Sequence, residues 1–248
     1  MNAIEIKEIH KNFGTKEAVK GLNLEIKQHE LFGLLGVNGA GKTTTIRMIC
    51  CLLKPSSGDI LVESKSVNDP DMEMEIKRII NLSPQETTVA EGLTVKENLQ
   101  LMAGLYGLEA DKAAANVEQI IKDFELSEIA GDKAKTLSGG WQRRLSIAMA
   151  LVTEPEILFL DEPTLGLDVI ARRELWETIK TLKQKMTIVL TTHYLEEAEA
   201  LCDRIAVMSS GRLMALGTAA ELKEKAGTDN FEDAFVKLAK GKEREQDV

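Results

Sequence analysis

Alternating apolar and polar positions predict strands near the start of the chain. Ile4 and Ile6 alternate with charged residues, and apolar residues alternate again over 22–26. A period of two places one side of each segment in a core, as in a half-buried strand. The apolar run 31–35 has no such alternation, which is typical of a strand buried on both faces. The first third is therefore predicted to hold β-structure, with one helix from about 41 to 53.

Helical spacing dominates the middle of the chain. Thr94 and Glu97 form the Ser/Thr-x-x-Glu pattern of a capping box, so we expect a helix to begin there. Gly107 is expected to end that helix, and a second one begins at about Asp111 with apolar residues at helical spacing. Because strand patterns are missing between 85 and 154, this part is predicted to form a helical subdomain.

The last third returns to alternating strands and helices, which favours a sheet with flanking helices. A hairpin is expected about Ser209-Ser210-Gly211, because these are turn-forming residues. The charged tail 241–248 is expected to be frayed. The predicted elements are strands 157–161, 186–191, 204–208 and 212–215, and helices 169–184, 195–202 and 231–240.

Composition narrows the class of protein. Of the 248 residues, 44% are hydrophobic and 29% charged, and the net charge is −9. An acidic surface repels nucleic acid and anionic lipid, so we expect no nucleic-acid partner. There is no run of about 18 apolar residues and no leader pattern, which predicts a chain on the cytosolic side that does not itself enter a membrane. Three cysteines lack metal-ligand spacing, and Cys50 falls on an apolar stripe that predicts core packing.

A phosphate-binding loop is predicted at Gly36-Val37-Asn38-Gly39-Ala40-Gly41-Lys42-Thr43, which matches G-x-x-x-x-G-K-[ST]. Glycines let backbone N–H groups turn toward phosphate oxygens, and the following helix directs its positive end at them. Lys42 adds charge near the β- and γ-phosphates, and the Thr43 hydroxyl is a candidate Mg²⁺ ligand. The candidate ATP-binding residues here are Gly36, Asn38, Gly39, Ala40, Gly41, Lys42, Thr43 and Thr44.

Two acidic residues, Asp161 and Glu162, end the apolar strand at 157–161. A buried strand can hold Asp161 beside the phosphate loop, where its carboxylate would bind Mg²⁺ directly or through water. Glu162 could then act as the general base toward the attacking water. A simple turn before Pro163 is the alternative interpretation, which the nearby phosphate loop disfavours.

A second glycine-rich helix start occurs at Leu137-Ser138-Gly139-Gly140-Trp141-Gln142. Ser138 can cap the helix, while Gly139 and Gly140 leave its first N–H groups accessible. This arrangement predicts a second anion-binding site at a helix N-terminus. An ordinary serine-capped helix is the alternative.

These three motifs, in this order, resemble an ABC-type ATPase subunit over roughly 4–238. The resemblance implies an α/β fold: a P-loop NTPase core with a RecA-like mixed sheet and flanking helices, an N-terminal antiparallel β region, and an inserted α-helical subdomain. The implied division of the single domain 1–248 is a catalytic lobe of about 1–84 and 155–225, a helical signature subdomain of 85–154, and a C-terminal helix and charged tail of 226–248.

Further residues match positions of the family. Gln85 takes the place of the glutamine that touches Mg²⁺ and water, and His193 that of the switch histidine at the γ-phosphate. Asp168 matches the D-loop, although it could instead cap the next helix. Phe13 takes the place of the adenine-stacking aromatic, where the family more often has tyrosine, and a core role is the alternative. Trp141 departs from the commoner residues at its place and is assigned no role.

In this family two subunits pair head to tail, with each ATP between the phosphate loop of one and the Ser138 segment of the other. The resemblance implies ATP and Mg²⁺ as cofactors and a second ATPase subunit, identical or different. It also implies separate transmembrane subunits that dock between Gln85 and Tyr106, at the cytoplasmic face of the cell membrane. Segments such as 93–99 and the final 231–235 resemble the exporter-type branch paired with ABC-2 membrane subunits.

Two other classes of protein share parts of the pattern. A soluble ABC ATPase acting on nucleic acid or ribosomes is disfavoured by the acidic charge, by the single ATPase domain and by the lack of sustained heptads before Ser138. A P-loop kinase or GTPase leaves the Ser138 segment, Gln85 and His193 unexplained.

Overall fold

The computed structural model describes residues 1–240, and the tail predicted to be frayed, 241–248, lies outside the described residues. The strands are β1 (Asn2–Phe13), β2 (Lys16–Lys27), β3 (Leu31–Gly36), β4 (Ser57–Val62), β5 (Lys65–Ser66), β6 (Ile80–Ser83), β7 (Ile157–Asp161), β8 (Thr187–Thr192), β9 (Arg204–Ser209) and β10 (Arg212–Gly217). The helices are α1 (Lys42–Ile49), α2 (Pro70–Ile79), α3 (Val95–Leu105), α4 (Ala110–Asp123), α5 (Gly139–Leu151), α6 (Val169–Leu182), α7 (Leu195–Leu201), α8 (Ala219–Ala226) and α9 (Phe231–Lys240).

A mixed sheet of six strands, in the order β10-β9-β3-β8-β7-β6, positions the functional residues. Its neighbouring strands are parallel except β9 and β10, which form the predicted hairpin. Every residue of β3, β7 and β8 is buried, as expected for parallel strands covered on both faces. The carboxyl ends of these three strands meet at one edge, where open α/β sheets bind their ligands.

The N-terminal region forms a second, antiparallel sheet in the order β2-β1-β4-β5. The alternation is confirmed, since Ile4 and Ile6 are both buried. Phe32 and Leu34 of β3 pack in the same core as this sheet and α1, whereas Leu31 packs with the helical region. Leu35 of the same strand packs in a third cluster with β9, β10 and the helices α7, α8 and α9. The central sheet therefore contributes to three apolar clusters of the described residues.

The helices α3, α4 and α5 occupy the middle of the chain, as predicted. The capping box is present, because Glu97 N donates to Thr94 Oγ1 at 3.1 Å and Thr94 N donates to Glu97 Oε2 at 2.7 Å. Apolar residues of these helices join those of β7 and β8 in one cluster. The helical subdomain consequently shares its core with the sheet, and α5 is buried over most of its length.

The first helix ends earlier than the predicted end at Leu53. Helix α1 stops at Ile49, because Cys51 adopts a left-handed φ of 54°. Leu52 N and Leu53 N then both donate to Arg47 O, at 2.9 Å and 3.1 Å. Apolar spacing continues through this turn, so spacing alone could not indicate where the helix ends.

Helix α2 lies in a region predicted to be β-structure. The Asp69 side chain caps it by accepting from Asp71 N at 3.0 Å, and Pro70 takes its first position. Ile76 is the one buried residue of α2, so its apolar stripe is weak. Strand β6 and helix α8 were also not predicted, and α6 and α7 end slightly before their predicted ends.

Within residues 1–240, no helix is both long enough and apolar enough to cross a membrane.

Candidate active site

The phosphate-binding loop connects β3 to α1. Gly41 precedes α1 with a φ of 101°, a left-handed conformation that glycine adopts readily. A Cβ at this position would lie 2.9 Å from Ala18 O, so a side chain would also lack space. Lys42 begins the helix, is buried, and donates from Nζ to Gly36 O at 2.6 Å. Backbone N–H groups and one buried positive charge therefore converge on the place that phosphates would occupy.

The turn between β9 and β10 supports this loop. Gly211 N donates to Ala40 O at 3.2 Å, and Lys20 N donates to Gly211 O at 2.8 Å. Gly211 has a φ of 81°, and a Cβ there would lie 2.7 Å from Ala18 O. Backbone contacts from β2 and from the hairpin thus hold the loop in shape.

Asp161 ends β7 beside the loop. Its carboxylate accepts from Thr43 Oγ1 at 3.2 Å and also from Thr191 Oγ1. Carboxylate and hydroxyl oxygens are hard ligands of the kind that Mg²⁺ prefers. Among residues 1–240 no cluster of three His, Cys, Asp or Glu side chains forms a metal site. The adjacent Thr43 hydroxyl and Asp161 carboxylate offer two such oxygens, which fits Mg²⁺, an ion that usually keeps several waters and binds substrate phosphates.

Glu162 lies at the mouth of the loop with its side chain buried. Its φ is 50°, a region that few residues other than glycine adopt, and its N–H donates to Thr191 Oγ1 at 3.0 Å. Its Oε1 lies 3.6 Å from Lys42 Nζ, and its Oε2 lies 2.7 Å from His193 Nδ1. The lysine of the phosphate loop and the predicted switch histidine thus meet at one carboxylate.

A pocket of about 430 Å³ adjoins this cluster. Phe13 forms part of its wall and is 49% exposed, which fits a ring that can stack on a ligand better than a core residue. Gly36, Asp161 and His193 do not line the pocket but bond to residues that do. The lining residues are Phe13, Lys16, Ala18, Asn38, Gly39, Ala40, Gly41, Lys42, Thr43, Thr44, Gln85 and Glu162.

The second predicted anion site lies away from this pocket. Ser138 caps α5 by accepting from Trp141 N at 3.5 Å, and nothing lies within 4 Å of a Cβ placed on Gly139. Asp168 caps α6, accepting from the N–H groups of Ile170 and Ala171 at 2.9 Å each. The cavity at this end, about 220 Å³, has a separate lining: Ser138, Gly140, Trp141, Arg144, Leu167, Ala171, Glu174 and Leu175.

A sequence profile described as "ABC transporter" matches residues 19–165. The chain belongs to the ABC transporter family. It is 40% identical over 231 residues to the daunorubicin resistance ATP-binding protein DrrA3 of Streptomyces coeruleorubidus, covering 93% of this chain and 72% of that protein. It is also 40% identical to the linearmycin resistance ATP-binding protein LnrL of Bacillus subtilis strain 168, over 92% of this chain and 73% of that one. Its fold matches a dimeric post-hydrolysis state of the ATP-binding cassette MJ0796 bound to ADP and Pi, with a TM-score of 0.77, 29% identity, and coverage of 87% of this chain and 98% of that one.

Membership of the ABC transporter family confirms several predictions. The chain is an ATP-binding and hydrolysing subunit of an ABC transporter, and its fold class is the predicted one. The matching profile is described as an ABC transporter, and the two relatives are named as resistance ATP-binding proteins, which supports the transporter class over an ATPase of nucleic acid or ribosomes. A plain kinase or GTPase is likewise disfavoured.

Two residues that contribute to this ABC ATPase site were not predicted. Thr191 bonds to Asp161 and to the backbone of Glu162, and it pairs with Asp161 in the register of β7 and β8. Polar residues at the ends of adjacent parallel strands would have been the signal for it. Lys16 lines the pocket directly after the turn that follows Phe13, and only its charge could have indicated this.

A buried acid on α7 also lies close to the catalytic segment. Glu197 is fully buried and accepts from Trp176 Nε1 at 3.1 Å. Burial raises the pKa of Glu197, the neighbouring Thr192 and Thr164 hydroxyls lower it by less, and the Glu162 carboxylate adds a smaller increase. Glu197 is one of three glutamates in α7, beside Glu196 and near Glu199, so the sequence does not single it out as the buried one.

Proposed function

We propose that two ATPase subunits of this kind bind two ATP molecules head to tail and use their hydrolysis to drive export through separate membrane subunits. The observation that carries this proposal is the separation of the predicted ATP-binding residues into two places. The pocket with Lys42 and Glu162 shares no lining residue with the cavity at Ser138. A second chain could bring its own Ser138 helix start to the γ-phosphate.

In the proposed reaction, Glu162 takes a proton from the water that attacks the γ-phosphorus. Its carboxylate is buried and lies between Lys42 and His193, which restricts its orientation. A positioned general base contributes about 10²–10⁴-fold to the rate. His193 would contact the γ-phosphate from the same side, and Lys42 would bind the β- and γ-phosphates.

Mg²⁺ fits beside these groups. Thr43 and Asp161 would hold the ion, and Gln85, which lines the pocket, would add an oxygen ligand. Bound there, Mg²⁺ would neutralise charge that develops on the β- and γ-phosphate oxygens.

The rest of the nucleotide site would come from both subunits. Phe13 would stack on the adenine of the ATP held by its own chain. Ser138, Gly139 and Gly140 of the other subunit would direct N–H groups at the γ-phosphate, since Gly139 has open space around it. Asp168 would act at the same interface, by capping α6 and so fixing the loop before it. The dimeric state of the MJ0796 cassette, with ADP and Pi, supports this assembly.

The names of the relatives support export as the direction of transport. DrrA3 and LnrL are both named as resistance proteins, for daunorubicin and linearmycin. We therefore place the chain at the cytoplasmic face of the cell membrane, attached through its membrane subunits.

An apolar groove of about 690 Å³ is the proposed docking site of a membrane subunit. Helix α3 contributes Met102 and Leu105 to it, followed by Tyr106 directly after the helix, and Leu105 is 70% exposed. Leu52 and Met74, from the catalytic lobe, form the facing side and are also exposed. Exposed apolar surface between two lobes is typical of a protein interface.

The proposal is tested by purifying the tagged Glu162→Gln protein from gently solubilised native membranes with ATP present. Recovery of a stoichiometric polytopic membrane protein is the expected result. Recovery in the soluble fraction alone, or with ribosomes or nucleic acid, would leave the ATPase intact and overturn the assembly.

A second experiment tests the docking groove. Leu105→Glu should abolish transport by the reconstituted complex while the basal ATPase rate of the isolated subunit is kept. Val236→Glu, which changes an apolar residue that is 42% exposed on α9, serves as the control. If Leu105→Glu supports transport as well as Val236→Glu does, the groove is not part of the interface with the membrane subunit.

A further inference from the structure

Arg143 is a buried arginine in α5, five positions after the Ser138 cap, and only 3% of it is exposed. Within residues 1–240 no carboxylate lies at ion-pair distance from its guanidinium. Burying an unpaired charge is costly unless its hydrogen bonds are fully made. The positions of its donors therefore indicate what the residue does.

The guanidinium of Arg143 donates to the backbone of two segments that carry proposed active-site residues. In the segment with the two acids, Nε donates to Pro163 O at 2.8 Å and Nη2 donates to Asp161 O at 2.8 Å. In the segment with the glutamine, Nη1 donates to Pro84 O at 2.5 Å and to Gln85 O at 3.3 Å. One side chain thus connects the Ser138 helix, the Gln85 segment and the acidic segment.

We propose that Arg143 is a positioning residue for ATP hydrolysis, which sets the placement of Gln85 relative to Asp161 and Glu162. This inference rests on the proposed roles of those three residues. Because Arg143 belongs to α5, it also fixes the Ser138 helix start relative to the pocket of its own chain. Its contacts are with main-chain carbonyls, so it acts through the backbone positions of the side chains that meet ATP, Mg²⁺ and water.

The planar guanidinium suits this task better than an ammonium group. Arginine presents five donors in a fixed planar arrangement, so it can reach carbonyls of two segments at once. Lysine has all its donors on a single ammonium group at the end of a flexible side chain. Burial lowers the pKa of Arg143 to about 10, while the carboxylates nearby, of Asp161, Glu197 and Glu162, act in the opposite direction. The group keeps its charge at neutral pH, and its four hydrogen bonds are charge-assisted.

Arg204, the first residue of β9, provides the control. Its side chain is 22% exposed, and its guanidinium pairs with the buried Glu30 at 3.2 Å and donates to Glu25 O at 3.3 Å. It lies at the start of β9, at the edge of the sheet opposite the carboxyl ends that hold the proposed site residues. Arg204 therefore resembles Arg143 in donating to a main-chain carbonyl, but it contacts neither the Gln85 segment nor the acidic segment.

The experiment compares Arg143→Lys with Arg204→Lys in the purified full chain. We expect kcat of Arg143→Lys to fall about tenfold to a hundredfold, as for a slight misplacement of reacting groups. The KM for ATP should stay near the wild-type value, because the phosphate loop is unaltered. The Mg²⁺ concentration at half-maximal rate should rise, because the backbone of Asp161 loses its donor. Arg204→Lys should move none of these values substantially.

Folding is measured in the same samples, with Arg143→Gln as a second variant. Rates are normalised to the folded fraction from circular dichroism at the assay temperature. If the Arg143 variants differ from Arg204→Lys only in folded fraction, or do not fold at all, the residue supports the fold and the proposal is overturned. Wild-type kcat and Mg²⁺ dependence in Arg143→Lys would overturn it too. A failure of the general-base proposal would instead appear as undiminished hydrolysis in Glu162→Gln, which the Arg143 comparison does not affect.

Discussion

Two helices of this chain, α1 and α5, have glycines at or directly before their first turn and accessible N–H groups there, yet the two helix starts are built differently. Helix α1 follows Gly41, has no side-chain cap, and carries the buried Lys42 as its first residue. Helix α5 follows Ser138, whose hydroxyl caps it by accepting from Trp141 N, and Gly139 faces open space. The first turn of α1 therefore has no side-chain cap to compete with a ligand, whereas α5 has a serine cap and still leaves space beside Gly139.

The side chains around the two helix starts also differ. The start of α1 has Glu162 and Asp161 beside it, together with its own lysine, so the groups for binding and chemistry lie in one chain. The first turn of α5 contains no acidic residue, and its cavity is lined by a separate set of residues. The cation in that cavity, Arg144, is already paired with Glu174 at 2.9 Å. Such a helix start binds phosphate weakly on its own and gains most when another surface brings the phosphate to it. One chain therefore contains a complete nucleotide pocket and, at the Ser138 start of α5, one half-site without a nucleotide of its own.

The largest expected effect is at the pocket. Glu162→Gln keeps the shape of the side chain and removes the proposed base, so kcat should fall about 10²–10⁴-fold in a phosphate-release assay. ATP should still bind, and an ATP-bound dimer should accumulate on size exclusion. Hydrolysis at the wild-type rate would show that the carboxylate is not the base.

The half-site is tested by Gly139→Asp, which introduces a carboxylate without a steric clash. A negative charge facing the phosphate bound by the other subunit costs several kcal/mol, so ATP-driven association should weaken by at least about a hundredfold. Sedimentation in the Glu162→Gln background measures this, while ATP binding by the monomer should not change.

Gly131→Asp is the control for this substitution, since nothing lies within 4 Å of a Cβ on Gly131 either. Equal dimerisation of the two aspartate variants would take the Ser138 segment out of the ATP interface.

Lys42→Ala should instead weaken ATP binding by the monomer, which Gly139→Asp leaves unchanged, because it removes the cation at the start of α1. A hydrogen bond to a charged group contributes about 1.5–3 kcal/mol, so ATP affinity of the monomer should fall about tenfold to a hundredfold by titration calorimetry. Lys180→Ala, at an exposed lysine of α6, should bind as the wild type does. Unchanged affinity in Lys42→Ala would mean that the loop backbone alone holds the phosphates.

The smallest effect concerns a helix start with a purely structural cap. Thr94→Ala breaks the capping box of α3 and should lower the free energy of unfolding by about 1 kcal/mol, measured by urea denaturation. ATP affinity and basal hydrolysis should remain the same. A drop in affinity would mean that the caps of the helical region are coupled to the nucleotide pocket.

Sequence patterns predicted the parts of the site whose residues are neighbours in the chain. The glycines and Lys42 of the phosphate loop, and the pair Asp161 and Glu162, form recognisable groups because one turn or strand end positions them. The Thr191 and Arg143 contacts depend on strand register and on how α5 packs against two distant segments. Such contacts arise from tertiary structure and leave no local pattern.

The fold was predictable to a similar degree. Strongly alternating or helical segments gave the correct element type, as at the capping box of α3. Helix α2 was missed because Ile76 alone is buried in it, so the apolar period that indicates a helix is nearly absent. The early end of α1 depends on the backbone of Cys51, whose φ of 54° no apolar pattern reveals.

The hydrogen bond from Gly211 to Ala40 also determines when the ATP pocket can form as the chain is made. The phosphate loop is translated early, whereas β8 and β9, which flank β3, and the turn that supports Ala40 come much later. At roughly 5–20 residues per second, the loop must wait several seconds or longer for these partners. A nascent chain stalled before the hairpin carries every residue of the phosphate-binding motif but lacks the strands and the turn that shape it.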